Sequence, residues 1–275
     1  MNSARSLNLK ALTAEFTKKE IYPLVAGWDL EGKHVPNELY HKMGEIGLLS
    51  LAIPEEYGGM GMGYLATAVA TEEICRYAHA AIGSNLISGF NGSFSAPIIH
   101  YGTKEQQDEI LPRVIAGDLK LAMCITEPGA SALGELNTKA TPDGDNYIVN
   151  GQKIFITRAE DCEKHVVIAQ EPEGAIALLI DACTPGVTVG KSEGKMGLRG
   201  IGLCPVSYDN VVVPKKNIIG KVGQGLKIAS DSLYEARMSV AACSVGCAQG
   251  AIDLAVEYAK TRMIGKHSLA SFQNT

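Results

Sequence analysis

The chain has 275 residues, of which 46% are hydrophobic and 20% charged, with a formal net charge of −5. These are the proportions of a soluble globular protein long enough to bury more than one core. The negative balance argues against a broad nucleic-acid footprint. No apolar run reads as a membrane span, and an N-terminus carrying Arg5, Lys10, Glu15, Lys18, Lys19 and Glu20 has no signal-peptide core. Seven scattered cysteines, an odd number without a framework, read as reduced thiols in a cytoplasmic protein. Cys243 and Cys247, four apart, share a helix face. With no His or third Cys close in sequence, the expected role is packing rather than metal binding.

The first hundred or so residues show helical spacing. Leu9, Leu12, Phe16 and Ile21 predict a helix over 7–22 that Pro23 ends. Pro36 opens a second helix through Leu39, Met43, Ile46 and Leu48. The glycines from Gly58 to Gly63 make a loop that lacks the Gly-Lys-Ser/Thr ending of a phosphate-binding P-loop. Residues 64–83 read as an Ala-rich amphipathic helix and 86–100 as a nearly all-apolar buried one. Thr103, with Gln106 three residues on, predicts a capping box for the helix 104–116.

The pattern then changes to short β-branched or alternating runs at 121–126, 147–150, 153–157, 165–169, 175–180, 187–189 and 205–212, separated by turns such as Asn150-Gly151. Helical spacing returns from Leu226 to Lys260. The expected class is therefore α+β with several domains: an N-terminal helical domain (1–119), a middle antiparallel β barrel or sandwich (120–222), and the start of a C-terminal helical bundle (223–275).

Two blocks in the β region carry chemistry. Met123-Cys124-Ile125-Thr126-Glu127-Pro128-Gly129-Ala130-Ser131 offers backbone donors and a hydroxyl before a small-residue turn, and Gly151-Gln152-Lys153-Ile154-Phe155-Ile156-Thr157 offers an aromatic face and another hydroxyl. Together with Ile53-Pro54-Glu55-Glu56-Tyr57-Gly58-Gly59, Tyr101-Gly102-Thr103-Lys104-Glu105-Gln106-Gln107, Lys195-Met196-Gly197-Leu198-Arg199-Gly200, Gly223-Gln224-Gly225 and Arg237 before Ala241-Ala242, they make the whole chain resemble the acyl-CoA dehydrogenase family.

The resemblance implies FAD as cofactor. The Ile125 backbone and the Thr126 and Thr157 hydroxyls would lie at the flavin's polar edge, with Phe155 packed on the ring where the family usually has Trp. It places Ser131 at the FAD pyrophosphate or the CoA, and Arg262 at the pyrophosphate of a neighbouring subunit. On residue type alone, a strand Thr is an ordinary β-former and Arg262 a solvated cation at a helix end. The implied reaction is α,β-dehydrogenation of an acyl-CoA in fatty acid metabolism. The implied partners are an electron-transfer flavoprotein or other acceptor and further copies of the chain. Alternatives are an enoyl-CoA reductase of the same fold, or a non-catalytic remnant serving as a partner protein.

Three departures from the family pattern stand out. The turn after Glu127-Pro128 is a residue short and lacks an Asp. Arg262-Met263-Ile264-Gly265 lacks the aromatic of the family's Arg-x-x-Phe-Gly. The sequence runs to Phe272-Gln273-Asn274-Thr275, where the family usually continues for about a hundred further helical residues. The resemblance therefore puts the usual catalytic Glu beyond Thr275. The alternative position for that base, just before Arg237, is Ala236, and Glu235 is one step back, rotated by about 100° around the helix. The catalytic base is thus unassigned, with Glu235 the weak candidate.

Overall fold

The computed structural model describes residues 3–80, 82–129 and 134–273. Helices come first: α1 (Ser3–Phe16), α2 (Tyr22–Glu31), α3 (Asn37–Glu45), α4 (Gly63–Ala78), α5 (Gly89–Asn91), α6 (Ala96–Tyr101) and α7 (Lys104–Ala116). Pro23 does not end the first helix as its sequence suggests. A π-helical turn at Thr17–Ile21 leads into α2, placing Pro23 in the first turn of α2, where a missing N–H costs nothing. The expected helix over 86–100 is broken instead. A π-turn at Ser84–Ser88 and the short α5 stop at Gly92 (φ −145°, ψ −108°), and α6 restarts with Pro97 near its N-terminus. The capping box forms as read: Thr103 Oγ1 accepts from the Gln106 N–H at 3.3 Å, and Gln106 Oε1 accepts from the Thr103 N–H at 3.1 Å. The Gln106 amide also donates to the carbonyls of Lys216 and Ile218, tying α7 to the β region.

The β region is an eight-stranded sheet: β1 (Leu121–Cys124), β2 (Lys139–Asp143), β3 (Asn146–Thr157), β4 (Lys164–Glu171), β5 (Gly174–Asp181), β6 (Val187–Val189), β7 (Leu203–Pro214) and β8 (Ile218–Ile219). Its order is β6-β7-β3-β2-β4-β5-β8, with β1 alongside β4. Most pairs are antiparallel, as expected, but β1 and β2 run parallel to β4. The short runs 147–150 and 153–157 are one strand, β3. Strand β2, with Pro142 inside it, has no counterpart among the expected runs.

Alternation explains the nearly continuous apolar runs of β4 and β5. Val167, Ala169, Ile176, Leu178 and Ile180 face a core internal to the sheet, while Val166, Ile168, Ala177 and Leu179 face the core shared with the helices. A strand covered on both sides needs no polar face.

Helix α8 (Gly225–Thr261) follows, 37 residues long and about 55 Å by helical rise. It starts pressed onto β5, where a Cβ on Gly225 would lie 2.7 Å from the Ala175 and Ile176 backbone, and then crosses α4. Ile252, Leu254, Val256 and Tyr258 along its distal half are exposed. Contrary to the sequence reading, α8 is long and apolar enough to cross a membrane by length and composition, although Ile228, Ala229, Ser232, Ser239, Cys243, Gly246 and Gly250 are buried within the fold. None of the seven cysteines forms a disulfide.

Candidate flavin-binding site

The two sequence blocks meet in space. The chain leaving β1 runs beside β3, and the Ile154 N–H donates to the Thr126 carbonyl at 2.9 Å. A buried ion pair locks this contact. Lys153 Nζ donates to Glu127 Oε1 at 2.7 Å and to the Ile125 carbonyl at 2.9 Å. The Glu127 carboxylate also accepts the N–H groups of Asn137 (2.5 Å) and Thr138 (3.0 Å). Both side chains are almost wholly buried, at 0% and 2% exposure. Burial pushes the Glu127 carboxyl up, but the bonds from Lys153, Thr138 and Asn137 outweigh it and hold the group below the usual carboxylate range. Burial pulls Lys153 below its ordinary value, with Glu127 opposing. Each charge is tolerable because the other is there.

Phe155 owes its position to a bulge. Lys153 pairs with Val206 and Ile156 with Cys204, so Ile154 and Phe155 together oppose the single residue Pro205. Proline has no N–H to give the ladder, and the extra residue is accommodated there. Phe155 adopts a left-handed backbone, φ +58°, at a cost on the order of 1 kcal/mol for a residue with a Cβ. The residue is 53% exposed, while Lys153 and Ile156 on either side of the bulge are buried. Thr157 is half-buried, Ile125 half-buried and Thr126 exposed. An exposed aromatic residue with Thr126 joined to its neighbour Ile154 and Thr157 two residues on suits a flat ring with a polar edge and apolar faces.

Immediately beyond, Arg158 (φ +66°) is fully buried. Its N–H donates to the Gly202 carbonyl at 3.0 Å, and its guanidinium donates to the Tyr40 hydroxyl and lies 4.7 and 5.0 Å from the Tyr40 and Phe90 rings. It therefore anchors the end of β3 in the helical core. His165, on β4, shares a hydrogen bond of 3.0 Å between its Nδ1 and the Tyr208 hydroxyl, and burial pushes its pKa down to about 4.

Of the residues singled out from sequence, Ile125, Thr126, Phe155 and Thr157 converge here. Ser131 lies outside the described residues, and so does Thr275, the position beyond which the family's usual Glu is expected. Arg262 is exposed at the C-terminal end of α8, far from the root of that helix on β5, and no described contact links it to the Phe155 cluster. Glu235 is turned onto the helices: its Oε1 lies 3.1 Å from His100 Nε2, which lies 2.7 Å from the Tyr64 hydroxyl. Burial, reinforced by Glu235, pushes the Tyr64 phenol up. The sequence reading missed Glu127, Lys153 and Arg158. The available signal was a lysine at an inward-facing position of an alternating strand, which requires a buried partner.

The scaffold runs helices, β sheet and helices, with Phe155 exposed at the junction of the two sequence blocks. The acyl-CoA dehydrogenase N-terminal domain matches residues 3–118, the middle domain 122–211 and the C-terminal domain 223–275. The chain belongs to the acyl-CoA dehydrogenase family of FAD-dependent oxidoreductases. It is 37% identical over 257 residues to the human mitochondrial short-chain specific acyl-CoA dehydrogenase, covering 90% of this chain and 61% of that protein. It is 35% identical to the caffeyl-CoA reductase-Etf complex subunit CarC of Acetobacterium woodii, covering 98% and 73%. It superposes on butyryl-CoA dehydrogenase from Megasphaera elsdenii with a TM-score of 0.91 at 32% identity, covering 99% and 73%.

Proposed function

We propose that this chain forms the flavin-facing part of an FAD-dependent acyl-CoA dehydrogenase acting on short acyl-CoA thioesters. The observation that carries the reading is the backbone junction at Ile154–Thr126, locked by the buried Glu127–Lys153 pair, next to which Phe155 is exposed. The likeness to the short-chain specific enzyme and to butyryl-CoA dehydrogenase supports the substrate class.

FAD, when bound, supplies the hydride acceptor for the substrate's β-carbon. The chain's own residues hold and orient it. Phe155 would pack on the ring, the Ile125 backbone and the Thr126 and Thr157 hydroxyls would serve its polar edge, and Ser131 would serve the FAD pyrophosphate or the CoA. Arg262, carried away by α8, reaches the FAD of a neighbouring copy in a homo-oligomer. The division into 1–119, 120–222 and 223–275, an electron-transfer flavoprotein as acceptor and a cytoplasmic location belong to the same reading. The likeness to the caffeyl-CoA reductase subunit favours a second reading, the same site run as an enoyl-CoA reductase. Ala236 and the His100-bound Glu235 leave this stretch of α8 without a base for the α-proton, and the same reading assigns that base to family helices beyond Thr275.

The test is FAD titration of wild type and Thr157→Val. The substitution keeps shape, removes the hydroxyl and leaves one flavin acceptor unpaired, at about 1–3 kcal/mol. The expected result is weaker FAD binding by roughly 5–150-fold. Equal affinity would remove Thr157 from the site, and a protein that takes up no flavin would support a non-catalytic remnant.

A further inference from the structure

Away from the flavin site, α4 and α8 cross along a seam nearly stripped of side chains. A Cβ on Gly246 would lie 2.2 Å from the Glu72 carbonyl oxygen, and one on Gly250 would lie 2.5 Å from that of Arg76. Arg76 and Asp253 close the seam with an ion pair at 2.7 Å. Into it project Cys75 from α4 and Cys243 and Cys247 from successive turns of α8. Their three Sγ atoms all lie within 4.8 Å of one another. Cys75 and Cys243 are buried, and Cys247 is half-buried and gives a path from solvent. Gly83 roofs the cluster, since a Cβ there would meet Cys75 Sγ at 2.7 Å.

We propose that Cys75, Cys243 and Cys247 form a binding site for one soft, three-coordinate ion of the thiophilic metals and metalloids. A bond to sulfur of about 2.3 Å places three sulfurs roughly 4.0 Å apart in a trigonal plane and roughly 3.4 Å apart in the pyramid of a centre with a lone pair, so the triangle contracts by at most about 1.4 Å. Thiolate sulfur selects soft ions. A structural zinc site wants a fourth ligand, and among the described residues no other Cys, His, Asp or Glu joins the three in one cluster. The nearest imidazole on α4, His79, is exposed a turn further on and stacked edge-on against Tyr22 at 5.4 Å.

Charge narrows the choice further. An apolar seam penalises net charge, and three thiolates are neutralised by a trivalent centre. With arsenous acid the step balances without redox: three S–H bonds and three As–O bonds break, three As–S bonds form, and three waters leave. Such a centre would clamp α8 onto α4.

The probe is arsenite, added to the full chain reduced with a phosphine, with Zn(II) in parallel. The expected result is one arsenic per chain by intact mass in place of three protons, protection of Cys247 from alkylation while exposed Cys183 stays reactive, and loss of binding in Cys75→Ser and in Cys247→Ser. The protection experiment needs no variant and holds even where a substitution fails to fold. Binding that survives Cys75→Ser, unaltered alkylation of Cys247, or tighter binding of Zn(II) than of arsenite would each overturn the proposal.

Discussion

Lys153→Met keeps much of the lysine's bulk and removes the charge from the centre of the site. The Glu127 carboxylate stays buried, holding its bonds from Asn137 and Thr138 but losing the 2.7 Å partner. Removing one member of a buried pair costs about 3–5 kcal/mol, because the remaining charge is left without compensation. At roughly 2–4 °C per kcal/mol for a chain of this size, that lowers the Tm by roughly 6–20 °C. The pH dependence gives a second readout. In the wild type, Glu127 titrates below its unfolded value of 4.5, so its stabilisation is full above that value and is lost as pH falls through the lower folded value. In the variant, burial acts without the lysine and raises the carboxyl, so protonation relieves it. The stability gap between the two proteins should narrow on acidification, beginning above pH 4.5 as the variant's raised carboxyl protonates and continuing below it as the wild type loses its share. Urea unfolding followed by circular dichroism at several pH values measures both quantities. A neutral-pH difference under about 0.5 kcal/mol, or a gap that widens in acid, would refute the assigned role of the pair.

Tyr40→Phe removes the hydroxyl that the buried Arg158 guanidinium uses; it should cost about 1.5–3 kcal/mol in urea unfolding, and an unchanged midpoint would show that the two rings suffice. His165, held at about 4 against 6.5 unfolded, is neutral in the fold. Its contribution is full above 6.5 and is lost as pH falls toward 4, about 3 kcal/mol in all. His165→Phe should flatten the stability–pH curve in that window, and an equal slope would contradict it. With Glu235 Oε1 held 3.1 Å from His100 Nε2, Glu235→Gln should slow acyl-CoA oxidation far less than the roughly 10²–10⁴-fold that loss of a general base costs. An artificial electron acceptor measures this, and robust turnover abolished by Glu235→Gln would reverse it.

What could be read from sequence follows the range of the interaction responsible. The Thr103–Gln106 box and the 37-residue α8 rest on contacts within a turn or on an unbroken pattern, and both were legible. So were the edges of β5, bounded by turn residues. Pro23 misled because a π-turn, invisible to periodicity, absorbs it. Strand β2 escaped because three of its last four residues are polar or proline and it is largely exposed. In the site, the residues proposed to face the flavin come from the resemblance, while the buried pair next to them joins residues 26 apart through side chains. The cysteine cluster was half legible: Cys243 and Cys247 share a face, but Cys75 lies far away in sequence and reaches them only through the α4–α8 crossing.

The left-handed backbone at Phe155 has a consequence for how this sequence can drift. Glycine would sit at φ +58° without strain, and an exposed aromatic ring contributes little to the core. Selection or design for thermal stability alone therefore pushes position 155 toward glycine and erases the ring platform while the fold improves. An aromatic residue kept there in the face of that gradient is a record of selection for binding. Pro205, directly across the bulge, offers a companion marker, because a residue with an N–H there would favour a regular ladder and draw the ring back toward the sheet.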